Sequence, residues 1–180
     1  VTIDAMGCRT LRAKQAEYVL ALKSNQPWLH QRVSAFQEAV TAQPKRYWRD
    51  IPHPSLLTLE KDHGRLERRH YTVVPAEAVL RDRSGWQDLK SVGWVESERT
   101  LLSGRHKGET TREVRYFISS LPAEVEPFAH AVRSHWAIEN CCHWVLDVVF
   151  GEDQSRVRKD NGPANLATLR RWVLNLLRQD

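Results

Sequence analysis

Two carboxylates stand where this chain could hold metal ions. Asp4 closes the apolar stretch VTID, which predicts a short buried strand, and Glu139 lies within the tryptophan-rich helical pattern RSHWAIENCCHWVLDVVF. An isolated buried charge is costly, so a carboxylate in such a setting needs a positive partner or a metal ion. Two such acids from separate elements could hold divalent cations, which activate the attacking oxygen and stabilise the leaving oxygen in phosphoryl transfer.

Each acid also has an ordinary structural interpretation. An Asp at a strand end often caps the helix that follows, and Glu139 could lie at a solvent rim or pair with Arg133. His135 and His143 lie one helical turn on either side of Glu139 and share its face. They could orient phosphate or water, or they could simply pack.

Arginines cluster in the segment KDHGRLERRHYTVV, residues 61–74. Arg65, Arg68 and Arg69 stand there at the entry of a strand, beside Tyr71. Guanidinium groups and aromatic faces suit the phosphates and bases of DNA. The alternative is a solvated edge strand that its charges protect from aggregation. The loop SRVRKDNGP, which contains Arg158, is basic in the same way.

Charge is distributed unevenly along the chain. The net charge of +5 and the pI near 9.3 favour an anionic partner. Residues 156–180 carry six basic and two acidic side chains, whereas residues 120–153 carry one basic and six acidic ones. An acidic region flanked by basic surface suits a metal-dependent enzyme that acts on nucleic acid.

Composition places the chain among soluble globular proteins. It has 180 residues, of which 41% are hydrophobic and 27% are charged. The sequence has neither an apolar run of roughly 18 to 20 residues nor a signal-peptide pattern, so a cytosolic protein is expected. An odd cysteine count with two cysteines adjacent favours reduced thiols, and the lack of CxxC spacing disfavours a zinc site.

The first part of the chain predicts a strand, a helix and a strand in VTID, LRAKQAEY and YVLALK. This order is typical of a parallel α/β unit, whose ligands bind beyond the carboxyl ends of the strands. Lys23 and Asn25 stand at such an end. The amphipathic pattern WLHQRVSAFQEAVTAQ predicts a second helix, with Pro27 near its start.

The rest of the chain predicts a β region followed by helices. QPKRYWRDIPHPSLLTLE predicts a loop, and RRHYTVV, SVGWVESERTLL and EVRYFISS predict antiparallel strands with SGRHKGE as a hairpin tip. A helix is expected from Glu126 to about Phe150, followed by the loop GEDQSRVRKDNGP. ANLATLRRWVLNLLRQ predicts a final helix whose Leu, Val and Trp side chains pack on the core.

Seven segments, taken in order, carry a family resemblance. VTIDAMGCRT, YVLALKSNQ, HGRLERRHYTV, LKSVGWVESER, RYFISSL, RSHWAIEN and HWVLDVVFGEDQSRVRKDNGPANLATLRR together resemble the transposases of bacterial ISAs-type insertion sequences, which are members of the DDE superfamily. The resemblance implies an α/β fold with a partial ribonuclease H-like core, lacking its leading strands, and a mostly antiparallel β insertion. Residues 1–42 would form the second half of the core sheet, residues 43–119 the loop and β insertion, and residues 120–180 the catalytic helix, basic loop and C-terminal helix.

The resemblance also implies a site and a reaction. Asp4 in TIDAMG matches the second catalytic Asp of the family and Glu139 in HWAIEN matches its Glu; both would hold Mg²⁺, for which Mn²⁺ substitutes. The substrate would be double-stranded DNA, with transposon ends cut and joined to target DNA by a homodimer in the bacterial cytoplasm, at the nucleoid. The candidate DNA contacts are Lys23, Asn25, Arg65, Arg68, Arg69, His135 and Arg158.

Two departures from the family pattern bear on activity. The first catalytic Asp of the family comes before the position where this chain begins, so the chain alone is expected to be inactive. The related signature Tyr-x2-Arg-x3-Glu-x6-Lys falls on Val132, His135 and Leu146, so its phosphate contacts do not carry over, and Arg133 is the candidate substitute. The alternatives are a truncated, non-catalytic DNA-binding remnant and a ribonuclease H-like nuclease unrelated to transposition.

Overall fold

The computed structural model describes residues 5–23, 26–62, 64–82, 85–138 and 144–178. Its helices and strands are α1 (Ala5–Ala13), β1 (Val19–Ala21), α2 (Pro27–Ala42), α3 (Pro44–Tyr47), β2 (Ser55–Asp62), β3 (Arg65–Pro75), β4 (Ser91–Leu101), β5 (Thr110–Ser119), α4 (Val125–Ile138) and α5 (Gly162–Leu176). A 3-10 turn at Ala76–Ala78 and a π-helical turn at Val145–Val149 complete the described elements.

The five strands form one sheet in the order β1-β5-β4-β3-β2, and every neighbouring pair is antiparallel. The mixed α/β class and the three predicted antiparallel strands are therefore confirmed. β1 pairs with β5 through Val19↔Ser119 and Leu20↔Ile118. A strand that precedes the predicted insertion thus shares a sheet with the last strand of that insertion. The predicted first strand, residues 1–4, lies outside the described residues.

α2 covers one face of the sheet. Its buried Leu29, Val33 and Val40 recur at helical spacing and join one apolar cluster with Trp94 and Ile118 of the sheet. Proline is tolerated in a first helical turn because the amide it lacks would have no partner there. The sequence prediction of this helix is confirmed nearly to the residue.

α4 begins by packing on the opposite face. Phe128 is 1% exposed, and its ring meets that of Phe117 edge to face, with 5.6 Å between centroids. A Cβ atom on Gly93 would lie 2.6 Å from the Phe128 ring, so only glycine leaves room for this approach. The sheet core is therefore closed on both sides at this end.

The other end of the sheet projects beyond the core. β4 is buried from Ser91 to Val95 and becomes partly exposed after that, while β5 is exposed from Thr110 to Val114 and buried from Tyr116 onwards. We call the projecting part, residues 58–70 and 96–114, the distal arm.

Two predicted boundaries were wrong. The first helix begins at Ala5, before the predicted start at residue 11. It ends at Ala13 rather than at residue 18, because Gln15 adopts a left-handed φ of 57° and the Ala16 amide donates back to the Leu11 carbonyl at 3.0 Å. The predicted loop over 43–60 contains α3 and the start of β2. SLLTLEKD is a strand because β3 supplies a partner along its whole length, from Ser55↔Thr72 to Asp62↔Arg65.

The structure divides into two compact units, Val1–Ala131 and Val132–Asp180. The first contains the sheet, and the second contains the end of α4, the π-helical turn and α5. In α5 Leu174 is buried, but Trp172 and Leu176 are 67% and 64% exposed. The expectation that all its Leu, Val and Trp side chains pack on the core was wrong, since they occupy more of the helix surface than one buried stripe.

A polar cluster joins the end of α1 to the end of β5. Arg12 donates to Glu17 at 2.8 Å and to Asp88 at 2.7 Å. The Ser120 hydroxyl donates to the other Glu17 oxygen and accepts from the Tyr18 amide at 2.8 Å. These contacts link residues more than 100 positions apart in sequence.

This cluster predicts a pH-dependent contribution to stability. The hydrogen bond from Ser120, with that from Arg12, lowers the pKa of Glu17 below its ordinary 4.5. A lowered pKa stabilises the fold above the unfolded-state pKa and loses that effect as pH falls through the folded-state pKa. Glu17→Gln should therefore reduce the free energy of unfolding at pH 7, by less than about 1 kcal/mol because the side chain is partly exposed.

Urea unfolding at neutral and at strongly acidic pH checks this expectation. The difference in unfolding free energy between wild type and Glu17→Gln should shrink on acidification. Glu38→Gln removes the same charge from an exposed position and controls for the change in net charge. A difference for Glu17→Gln that grows as pH falls would contradict the assignment.

Candidate nucleic-acid interface and catalytic residues

Strand alternation divides the arginine cluster of β3 between two faces of the distal arm. Successive side chains of a strand point to opposite sides of the sheet. Arg65 and Arg69 therefore share a face with Glu67, and Arg68 shares the other face with His70. Residues that are consecutive in sequence do not form one basic patch here.

Arg65 and Arg69 are held by a buried carboxylate. Glu67 is 7% exposed and accepts hydrogen bonds from Arg99 at 2.8 Å and from Arg69 through its second oxygen. Arg65 Nε lies 3.0 Å from the same carboxylate as an ion pair. Arg69 also donates to Glu60 at 2.8 Å. Three guanidinium groups offset the cost of burying one carboxylate.

Arg68 lies in a second, more exposed group of charges. Its guanidinium is 3.9 Å from Glu98, which also accepts from Arg112 at 3.0 and 3.3 Å. The side chains of Arg68 and Arg112 are 57% and 80% exposed. Ion pairs this exposed contribute little to stability and leave both guanidinium groups accessible to a partner.

Sequence reasoning missed Arg99 and Arg112. Their positions follow from the register, in which Glu67 lies opposite Arg99 and Glu98 lies opposite Arg112. The alternation of charged residues in VESERT and TTREV was the available signal. It becomes informative only once the strand partners are known.

Two further candidates, Lys23 and Arg158, lie outside the distal arm. Lys23 is exposed directly after β1, and its carbonyl accepts from the Gln26 amide at 3.0 Å. Arg158 is exposed in the loop before α5 and donates to the carbonyls of Ser155 and Val157 at 2.7 and 3.0 Å.

The predicted catalytic acids Asp4 and Glu139 lie outside the described residues, as do Asn25 and the side chain of His135. Within the part of the chain that the structure describes, no three His, Cys, Asp or Glu side chains are grouped so as to hold a metal ion. Over the same residues, no helix is long and apolar enough to cross a membrane. The assignment of Asp4 and Glu139 as metal ligands stays a prediction.

Comparison with known families decides the broader assignment. The family described as "Transposase DDE domain" matches residues 8–176, from within α1 to the end of α5. The chain belongs to the DDE transposase family. The sequence resemblance to insertion-sequence transposases of the DDE type is therefore confirmed.

Curated relatives of this DDE transposase chain match it from end to end. It is 37% identical to "Putative transposase YncI" of Escherichia coli O157:H7, over 99% of this chain and 45% of that protein. It is 34% identical both to "Putative protein YbfL" and to "H repeat-associated putative transposase YhhI" of Escherichia coli K12, over 100% of this chain and 47% of each protein. The chain thus spans about half the length of these relatives, and no solved structure matches it.

Proposed function

We propose that this DDE transposase chain contributes Asp4 and Glu139 to a ribonuclease H-like catalytic core that cuts and joins DNA at insertion-sequence ends. The observation that carries this proposal is the family match over residues 8–176, which includes the segment around Glu139. The alignment with YbfL covers the whole chain and so extends over the segment around Asp4.

The chemistry proposed is metal-assisted phosphoryl transfer. When bound, Mg²⁺, or Mn²⁺ in its place, would activate the attacking oxygen and stabilise the leaving oxygen of the scissile phosphate. Asp4 and Glu139 are the residues of this chain proposed to hold the cation, since carboxylate oxygens are ligands that Mg²⁺ prefers. Two acids in place of the three of the family should hold it weakly.

Double-stranded DNA is the proposed partner. The net charge of +5 and the six basic side chains of residues 156–180 support an anionic ligand. Lys23, Arg65, Arg68, Arg69 and Arg158 remain candidate contacts, with Asn25 and His135 in the segments next to the proposed acids. We propose that the complete protein acts as a homodimer on DNA in the bacterial cytoplasm.

Metal dependence of strand cleavage tests the proposal. In a protein of the relatives' full length that contains this chain, labelled duplexes carrying the element's ends should be cut with Mg²⁺ and left intact with a chelator. We expect no cutting by the chain alone, because the first acid of the family precedes the segment that corresponds to Val1. Cutting that persists in the chelator would contradict the metal mechanism, and tight binding of DNA without any cutting would favour a non-catalytic DNA-binding remnant.

A further inference from the structure

The β4–β5 hairpin ends in an ordered tip, residues 102–109. Gly108 donates to the Leu101 carbonyl at 2.7 Å, and the Leu101 amide donates to Glu109 at 3.0 Å. Gly104 and Gly108 have φ values of 82° and 90°, which favour glycine. A Cβ atom at either position would have no neighbour within 4 Å, so backbone conformation and not crowding favours glycine there. The tip therefore has a defined backbone and presents Arg105, His106 and Lys107 to solvent.

The tip is also fastened to the neighbouring hairpin. The Leu102 amide donates to the Gly64 carbonyl, in the β2–β3 turn, at 2.7 Å. Gly64 has a φ of 72°, which favours glycine, and a Cβ atom there would lie 2.4 Å from the Ser103 hydroxyl unless that side chain turned away. Two hairpins locked at their ends form a stiffer projection than either would alone, which lowers the entropy cost of binding through it.

Charge compensation differs between the strands of the distal arm and its tip. On the strands, Arg65, Arg69 and Arg99 pair with Glu67, while Arg68 and Arg112 pair with Glu98. At the tip, His106 contacts Glu109 at 2.7 Å. Among the described residues, Arg105 and Lys107 take part in no ion pair. The same holds for Lys61, near the end of β2.

We propose that the hairpin tip contacts backbone phosphates of duplex DNA through Arg105 and Lys107. Duplex DNA has a dense row of phosphates, and its major groove is wide enough to admit a two-stranded β-ribbon. Cations without a competing carboxylate bind phosphate without first breaking an internal ion pair, so the tip should engage DNA before the paired arginines of the strands. This inference rests on the DNA-binding part of the proposed function.

The test is the salt dependence of DNA affinity, measured by fluorescence anisotropy with a short labelled duplex of arbitrary sequence. The double variant Arg105→Gln/Lys107→Gln should bind more weakly, and the log–log slope against salt should fall by about 0.9 for each lost contact, or about 1.8 in total. Arg105→Lys/Lys107→Arg should keep the wild-type slope, because both charges remain.

Arg81→Gln/Lys90→Gln is the matched control. It removes the same two charges from exposed positions at the opposite end of the sheet, between β3 and β4. The tip inference is overturned if this control lowers the slope as much as the tip variant does, or if the tip variant binds like wild type. Wild-type protein that binds no duplex DNA, or that prefers single-stranded RNA, would instead refute the DNA partner of the proposed function and the tip contact with it.

Discussion

Glu139→Gln should weaken Mn²⁺ binding by this chain at least about tenfold, since even the groups that only orient metal ligands contribute 10- to 100-fold to affinity. The substitution keeps the side-chain shape but removes the charge that the cation requires. Paramagnetic broadening of proton signals or calorimetry would measure the loss. Asp4→Asn should produce a loss of the same size if both acids hold one ion.

If Asp4 and Glu139 hold the same ion, the effects of the two substitutions should be coupled. The double variant Asp4→Asn/Glu139→Gln should lose less Mn²⁺ affinity than the two single losses added together, because residues that contact one ion are coupled. Glu126→Gln is the control, because this exposed acid of α4 carries the same charge in the same acidic segment. Binding that survives both single substitutions, or that Glu126→Gln reduces equally, would count against the assignment of the two acids.

Phe128→Ala should destabilise the fold by about 3 to 5 kcal/mol. Phe128 is 1% exposed, and its ring fills the space above Gly93 and against Phe117. Truncation therefore removes buried apolar surface and leaves a cavity between the helix and the sheet backbone at Gly93. Urea unfolding at neutral pH, with the slope checked for two-state behaviour, measures the change.

Two variants separate this packing effect from a general sensitivity to losing an aromatic ring. Trp28→Ala removes a larger ring that is 53% exposed and should cost less than about 0.5 kcal/mol. Gly93→Ala should cost about 1 to 3 kcal/mol in the wild type, by overpacking, and less when combined with Phe128→Ala, because the clashing ring is gone. Equal costs for Gly93→Ala in both backgrounds would show that the contact with Phe128 is not what requires glycine.

Sequence prediction was most accurate for elements whose pattern lies within a single short segment. The second helix and the three central strands follow from spacing within a single segment, and their bounds in the structure agree closely. β2 was missed because three prolines precede it. Its strand character also depends on pairing with β3, and the paired residues at the middle of the two strands are about ten positions apart in sequence. The end of α1 was misplaced because the turn at Gln15 ends the helix, and nothing in that residue's type signals a left-handed φ.

For the candidate DNA contacts too, the sequence identified the residue types, and the tertiary structure decided their arrangement. Residue types alone identified Arg65, Arg68 and Arg69 as suited to phosphate, and that role stays a prediction. Their distribution over two faces, and the burial of Glu67 among three arginines, depend on the pairing of β3 with β4. A single strand does not reveal which of its carboxylates will be covered.

By itself the sequence determined the α/β class and the main helices and strands, because residue type and short-range spacing are sufficient for each. Its resemblance over seven ordered segments determined the family. Only the tertiary structure decided that β1 joins β5, that Gly93 must admit Phe128, and that the distal arm neutralises its own strand arginines while its tip does not. These features depend on register and close packing between distant segments, where a shift of one residue would exchange the two faces of a strand.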